Sequence, residues 1–287
     1  MNGHWIPHIE VALLGSLVVR VNGNPAVPSA PKLRQLVALL LLHANRAVTI
    51  PVLAKELWED HPPPSSVATL QNYVRHLRKF LGKSLGVTPE QVMRDVLLTK
   101  SGGYLFHIES GETDLQVYER TLADGRAALA EGRDEVASHR IGEALSVWRG
   151  SPMADVKPGP LLDVQIMRLR ESRLIALEQR IEADMRLGRH YDVLSELIEL
   201  VAEHPLNESL HAQLMLAFHR CGRRSQALAT FQRLRRLLNK ELGVGSSLRL
   251  ERLHRAILTC DPILDIPQNT GAHVVVNRLI GTVPRSA

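Results

Sequence analysis

Residues 65–83 read SSVATLQNYVRHLRKFLGK, and the spacing of their apolar side chains predicts an amphipathic helix. At about 100° per residue, the apolar residues fall on one stripe and polar residues occupy the opposite side. The stripe consists of Leu70, Val74, Leu77 and Leu81, and the polar side carries Gln71, Asn72, Arg75 and Lys79. Ser65 or Ser66 is suited to cap the helix, because a serine oxygen accepts a hydrogen bond from a free backbone N–H there.

The polar side of this helix is basic and free of acids. No Asp or Glu occurs between Asp60 and Glu90, whereas this stretch contains Arg75, Arg78, Lys79 and Lys83. Such a face suits a polyanion: in the major groove of DNA, Arg reads guanine, Asn and Gln read adenine, and Lys contacts phosphates. Taken alone, the helix is more simply interpreted as having an ordinary solvated face, because basic amphipathic helices are common. The neighbouring segments favour DNA binding.

The segments before the helix predict a small antiparallel sheet and two further helices. Ile9–Leu14 and Leu17–Val21 are rich in β-formers, and Asn22-Gly23 is a hairpin signal that leads to a third short strand near Ala26-Val27. Pro31 then begins a helix with leucines at helical spacing. A second helix is predicted after Thr49, followed by the proline-rich loop 59–64.

A hairpin is predicted after the basic helix. Val96–Thr99 and Tyr104–Ile108 read as strands on either side of Lys100-Ser101-Gly102-Gly103, a sequence suited to a tight turn. Sheet, three helices and hairpin is the order of a winged helix, in which the third helix enters the major groove. The hairpin tip, with Lys100 and Ser101, then lies along a phosphate backbone or minor groove. An ordinary turn is the simpler interpretation of the hairpin alone, and its position after a basic helix favours the wing.

From Asp114 to about residue 258 the sequence predicts helices only. Gly188 and Gly222 are 34 residues apart, as are Leu197 and Phe231, and 34 is the period of tetratricopeptide repeats. Pro205 occupies the terminal proline position of the first copy. An earlier helical pair, 122–148, has Gly125, Ala137, Ile141 and Ala144 at corresponding positions. These signals favour stacked helical pairs with a protein-binding groove over a generic bundle.

Composition and charge reduce the number of function classes that fit this sequence. Residues 1–110 hold 11 Lys+Arg against 7 Asp+Glu, whereas the rest holds 24 against 23, so the basic surplus lies in the first third. Two cysteines provide neither a disulfide framework nor metal-ligand spacing. The densest apolar stretch, 36–42, is far shorter than the roughly 18 residues of a membrane span. We therefore expect a soluble protein of the cytoplasm.

The sequence contains no recognisable motif for catalysis or cofactor binding. Gly82-Lys83-Ser84 resembles the end of a phosphate-binding loop, but the glycine required five residues earlier is Leu77. The thirteen histidines include no HExxH pattern, and no nucleophile elbow occurs. We expect no catalytic residues, no cofactor and no metal.

The order of several segments resembles a known family. The segments are PKLRQLVALLLLHANRAV, LAKELWED, SSVATLQNYVRHLRKFLG, GGYLF and ALATFQRLRRLLNKELGV. They resemble the antibiotic regulatory activators of actinomycetes, the SARP family, over about residues 9–258. The resemblance implies a mainly α fold with a small β component: an OmpR-type winged helix-turn-helix over 1–112, an all-α, tetratricopeptide-like bacterial transcriptional activation domain over 113–259, and a tail over 260–287. It also implies the short form, without appended nucleotide-binding or sensor domains.

The resemblance carries functional residues onto this sequence. It implies a recognition face at Thr69, Asn72, Arg75, His76 and Lys79, and a wing at 100–104. Asn72 and the pair Arg75-His76 depart from the residues expected there, so we expect a different target sequence. The full predicted DNA-binding set is Thr69, Gln71, Asn72, Arg75, His76, Lys79, Lys83, Lys100, Ser101 and Tyr104. A polymerase contact is predicted at Glu59, Asp60 and His61.

The sequence therefore predicts a DNA-binding transcriptional activator, associated with the nucleoid. By the resemblance, its partners are double-stranded direct repeats near promoters of a secondary-metabolite (antibiotic) gene cluster, RNA polymerase, and a second copy of the chain on DNA. A tetratricopeptide-like adaptor without sequence-specific DNA reading is the alternative. An enzyme with an unrecognised pocket is a more distant one.

Overall fold

The computed structural model describes residues 9–108 and 113–265. These fall into two compact units. The first runs to Arg120 and also contains Ala144–Leu174, and the second comprises Thr121–Glu143 and the chain from Ile175. The predicted fold class is confirmed, with small sheets near the N-terminus followed by an all-α region.

The first unit opens with an antiparallel sheet of β1 (Ile9–Ala12), β2 (Val18–Val21) and β3 (Asn24–Pro25), in that order. Val11 lies opposite Val19, and both side chains are buried. The third strand lies earlier than predicted. Asn22 and Gly23 form a two-residue turn with φ of 51° and 82°, which places Asn24 directly opposite Val21.

The winged-helix order follows. The elements are α1 (Pro31–Leu42), β4 (Ala47–Thr49), α2 (Ile50–Trp58), α3 (Ser66–Leu85), α4 (Pro89–Asp95), β5 (Leu97–Lys100) and β6 (Gly103–Phe106). The second sheet has the order β4-β6-β5. Three helices and the hairpin are confirmed, and Gly82 lies in the last turn of α3, as expected.

Two elements of the first unit, β4 and α4, are not predicted by the sequence. Strand β4 has only three residues and exists because it pairs with β6, a contact across more than fifty residues of sequence. The sequence does contain a local signal for the start of helix α4. The Thr88 hydroxyl accepts from the backbone N–H of Gln91, and the Gln91 side chain accepts from the backbone N–H of Thr88. This capping box, followed by Pro89 at the first helical position, marks a helix start.

The next helices are α5 (Asp114–Ala130), α6 (Asp134–Ser146) and α7 (Pro160–Arg186). Within the first unit, the Asp114 carboxylate accepts from the backbone N–H groups of Leu13 and Leu14, at 2.7 and 2.9 Å. Asp155 likewise accepts from the N–H of Leu17, at 2.7 Å. These bonds pair the backbone N–H groups of the β1–β2 loop, because a buried N–H group without a partner would cost folding free energy.

A buried carboxylate joins α2 to the start of α7. Glu56 is 1% exposed, and its oxygens accept from the backbone N–H groups of Gly159, Leu161 and Leu162 at 2.7–3.0 Å. The Gln35 side-chain amide donates to the same carboxylate at 2.9 Å. Free N–H groups at a helix start favour an anion, so Glu56 caps α7.

The second unit continues with α8 (Leu194–Glu203), α9 (Glu208–Arg220), α10 (Arg224–Leu242) and α11 (Leu248–Thr259). Gly188 and Gly222 both have positive φ, at 80° and 73°, so the 34-residue spacing relates two equivalent turns. Gly125 is different, because it lies inside α5, where a Cβ would come within 2.6 Å of Ile141. The turn glycine between α5 and α6 is Gly132, with φ of 75°.

Candidate nucleic-acid interface

Helix α3 buries one side and exposes polar and cationic side chains on the other. The stripe of Leu70, Val74, Leu77 and Leu81 is at most 1% exposed. Thr69 is half-buried. Six of the predicted residues are exposed: Gln71, Asn72, Arg75, His76, Lys79 and Lys83.

The exposed cations of this surface are free of acid partners. Arg75 donates to the side-chain oxygen of Asn72 at 3.0 Å, which holds the two predicted base readers side by side. In the described part of the chain, Arg75, Lys79, Lys83 and Lys100 have no carboxylate partner. The surface therefore keeps its full positive charge for an anionic ligand.

The wing is a two-residue hairpin. Lys100 pairs with Gly103, and the turn between them uses Gly102 at φ of 76°. Lys100 and Ser101 are exposed at this tip. Gly103 cannot carry a side chain, because a Cβ there would lie 2.1 Å from the carbonyl oxygen of Val48 on β4. The wing is thus held closely against β4.

Arg78 joins the wing to α3. Its guanidinium donates to the carbonyl oxygen of Leu97 at 3.0 and 2.8 Å, and to the Thr99 hydroxyl at 2.8 Å. Burial lowers the pKa of Arg78 below its ordinary value. The sequence placed Arg78 in the basic stretch but did not single it out, because its partner carbonyl lies on a strand 19 residues away.

Tyr104 is the member of the predicted set whose side chain is buried, at 6% exposure. The Arg78 guanidinium carbon lies 5.9 Å from the centre of its ring, within cation–π range. In this structure, the buried ring of Tyr104 lies beneath the Arg78 guanidinium.

The α2–α3 loop is exposed and shaped by Glu59. This residue ends α2 with φ of 59°, an uncommon conformation for a non-glycine residue. Asp60 pairs with Lys55, and their hydrogen bond lowers the pKa of the Asp60 carboxyl. His61 is exposed beside them. Trp58 and Tyr73 stack at 6.3 Å between ring centres and so hold α2 against α3 at the base of this loop.

Among residues 9–108 and 113–265, no group of three His, Cys, Asp or Glu side chains is placed to hold a metal ion. Within the same ranges, none of the helices combines the length and apolarity needed to cross a membrane.

Family comparisons match both halves of the chain. Residues 23–106 match the model described as "Transcriptional regulatory protein, C terminal", and residues 113–258 match the "Bacterial transcriptional activator domain". The regulatory protein DnrI of Streptomyces peucetius is 44% identical over 90% of this chain and 94% of its own length. The chain belongs to the SARP family. As a SARP regulator it is a DNA-binding transcriptional activator, so the predicted class of function is confirmed.

Other relatives are longer. The regulatory protein AfsR of Streptomyces griseus is 37% identical over 85% of this chain, which corresponds to 24% of AfsR. A solved structure of Mycobacterium tuberculosis EmbR with a low-affinity phosphopeptide has a TM-score of 0.79 and 33% identity, covering 89% of this SARP chain and 66% of EmbR.

Proposed function

We propose that this protein activates a secondary-metabolite (antibiotic) gene cluster by reading direct repeats near its promoters and recruiting RNA polymerase. The observation that carries the proposal is the exposed side of α3, where cations and amides occur without an acid. Membership of the SARP family supports an antibiotic gene cluster as the target. We also propose that the protein catalyses no reaction and that it acts at the nucleoid.

The proposed reading surface divides into two kinds of contact. Asn72 and Arg75 contact base edges, because a paired amide and guanidinium match adenine and guanine in the major groove. Lys79, Lys83 and the wing tip at Lys100 contact phosphates, which position the protein without reading sequence. Tyr104 supports the wing through Arg78 rather than contacting DNA itself.

Two protein contacts complete the proposal. The exposed loop at Glu59, Asp60 and His61 contacts polymerase, and a second protomer binds alongside on the repeated operator. The positive φ of Glu59 supports this use of the loop, because unusual backbone conformations occur often at functional sites.

A gel-shift titration of the full-length protein tests this proposal. The DNA probes are promoters of the neighbouring genes and scrambled versions of equal length, each at two salt concentrations. The full chain is required, because Glu56, Leu13 and Leu14 have hydrogen-bond partners beyond residue 112. We expect tight binding to a native promoter, with log K falling by roughly 0.9 per neutralised phosphate for each unit of log salt. Equal, weak binding to native and scrambled DNA would overturn the proposal.

A further inference from the structure

The second unit has its charges sharply segregated along the chain. Residues 190–219 contain five acids and no Lys or Arg, whereas residues 223–255 contain nine Lys or Arg and two acids. Both stretches also carry apolar side chains that remain exposed. Surfaces that combine exposed apolar groups with charge of one sign are typical of protein interfaces.

The acidic surface lies on α8. Glu199 and Glu203 form one exposed row, and the adjacent row carries Ile198, 48% exposed, and Ala202. In the described residues neither glutamate has an ion-pair or hydrogen-bond partner. We call this surface the acidic face.

An apolar cavity of about 430 Å³ borders the acidic face, between α8, α9 and α10. Its lining includes Ile198, Ala202, Leu214, Phe218 and Leu237. The α10 wall of the cavity also carries Arg233, so incoming cations are expected on the α8 side. The acidic face thus offers both negative charge and an apolar recess.

The basic surface lies on α11. Leu248, 71% exposed, is followed on the same side of the helix by exposed Arg252 and Arg255. These two arginines have no carboxylate partner among the described residues. Nearby, Leu242 and Val244 are 57% and 49% exposed. We call this surface the basic face.

We propose that the acidic face of one copy of this protein binds the basic face of the next copy. The two faces are opposite in charge, both carry exposed apolar groups, and the exposed Leu248 provides a side chain for the apolar cavity. A nucleic acid fits this face less well than a protein does. Its phosphates would pair with Arg252 and Arg255, but they would leave Leu242 and Leu248 exposed to water.

This contact joins two different faces, so every protomer points in the same direction along the array. Such a heterologous contact leaves one face free at each end, whereas a two-fold dimer uses the same face twice. Direct repeats in DNA also orient protomers in one direction. The inference therefore rests on the proposed function and names the surfaces that would pair on a tandem operator.

Charge exchange in the full-length protein tests this interface. The variants are Glu199→Lys with Glu203→Lys, and Arg252→Glu with Arg255→Glu. A control, Asp124→Lys with Glu171→Lys, makes the same charge change as the first variant at exposed positions without partners in the described chain. Binding is measured on DNA with one half-site and on DNA with two tandem half-sites.

We expect the wild-type protein and the control to bind tandem sites with a cooperativity factor of roughly 5–150. Each face variant alone should lose that factor, and the variant with Glu199→Lys and Glu203→Lys should keep the half-site affinity of the control. An equimolar mixture of the two face variants should regain cooperativity. In the mixture, the acidic face that now carries lysines meets the basic face that now carries glutamates, so the two charges are again opposite. Neither variant can pair with itself in this way.

Other outcomes separate the two proposals. Absence of specific binding by the wild-type protein to both the half-site and the tandem DNA would contradict the proposed function itself. Specific half-site binding, with tandem cooperativity unchanged in both face variants, would overturn the interface. The proposed interface would also be overturned if the face variants kept cooperativity but lost polymerase recruitment. The two faces would then bind polymerase rather than a second copy of this chain.

Discussion

Arg75 and Arg78 stand three residues apart on α3 but have different surroundings. Arg75 is exposed and donates to its helical neighbour Asn72, whereas Arg78 is half-buried and binds the wing strand at Leu97 and Thr99. Both residues are arginines, so residue type alone does not show that their surroundings differ. The partner carbonyl on β5 holds Arg78 against the wing, whereas the Arg75 guanidinium is exposed, where we propose that it contacts DNA.

Replacing Arg75 with alanine should weaken binding to the native operator by about 1–3 kcal/mol and blur sequence preference, because a base contact is lost. Gel-shift competition between native and scrambled DNA measures both effects. Lys83→Ala is the comparison, since loss of a phosphate contact should weaken both DNAs alike. Equal losses on the two DNAs for Arg75→Ala would contradict a reading role.

Replacing Arg78 with alanine should loosen the wing, because the Leu97 carbonyl loses its guanidinium donor. We expect the free energy of unfolding to fall by about 1–3 kcal/mol, with faster hydrogen exchange in residues 97–106. Operator affinity should fall as well, although Arg78 itself is turned to the wing. Unchanged exchange in the wing would show that Arg78 does not hold it.

Among the elements, α2 positions both the exposed α2–α3 loop and the start of α7. Its Glu56 carboxylate receives hydrogen bonds from three backbone N–H groups of the segment that begins α7. Gly159 is required at this contact, because a Cβ there would lie 2.0 Å from the Glu56 carbonyl oxygen. The close approach explains the glycine between two prolines at 158–160.

Glu56→Ala should lower the free energy of unfolding by roughly 3 kcal/mol, since it leaves buried N–H groups without an acceptor. Gly159→Ala should act in the same direction by forcing the two segments apart. Urea unfolding measures both changes. Glu203→Ala, at an exposed position without a partner in the described chain, is the control and should change stability by less than about 0.5 kcal/mol. A loss no larger than that of the control would rule out a capping role for Glu56.

Across the second unit, four histidines respond to burial in the same way. Burial lowers the pKa of His190, His211, His219 and His254 below the ordinary value. The folded chain therefore takes up protons less readily than the unfolded chain. Stability from these groups is present above about pH 6.5 and is lost as pH falls below that value.

Thermal unfolding at pH 7.5 and pH 5.5 should therefore show a lower melting temperature at the acidic pH. His254→Phe should reduce the difference, because it removes one titrating group while keeping the ring stack with Phe231, whose centre lies 3.9 Å away. A melting temperature that rises toward pH 5.5 would contradict the assigned direction of these pKa shifts.

The sequence by itself determined the local elements. The period of Leu70, Val74, Leu77 and Leu81 specified α3 and its buried side, and Gly102 specified the tight turn of the wing. The spacing of Gly188 and Gly222 identified equivalent turns between helices. Each of these signals lies within a few residues or repeats at a fixed interval, so periodicity and turn chemistry are enough to read it.

Tertiary structure decided the contacts between distant segments. It created β4 through pairing with β6, buried Tyr104 under Arg78, and placed Glu56 at the start of α7. In each case the partner lies at least 26 and at most 106 residues away, from Arg78–Tyr104 to Glu56–Leu162, so no local pattern encodes it. Residue type and spacing are local properties, whereas burial and hydrogen-bond partners depend on which elements the folded chain brings together.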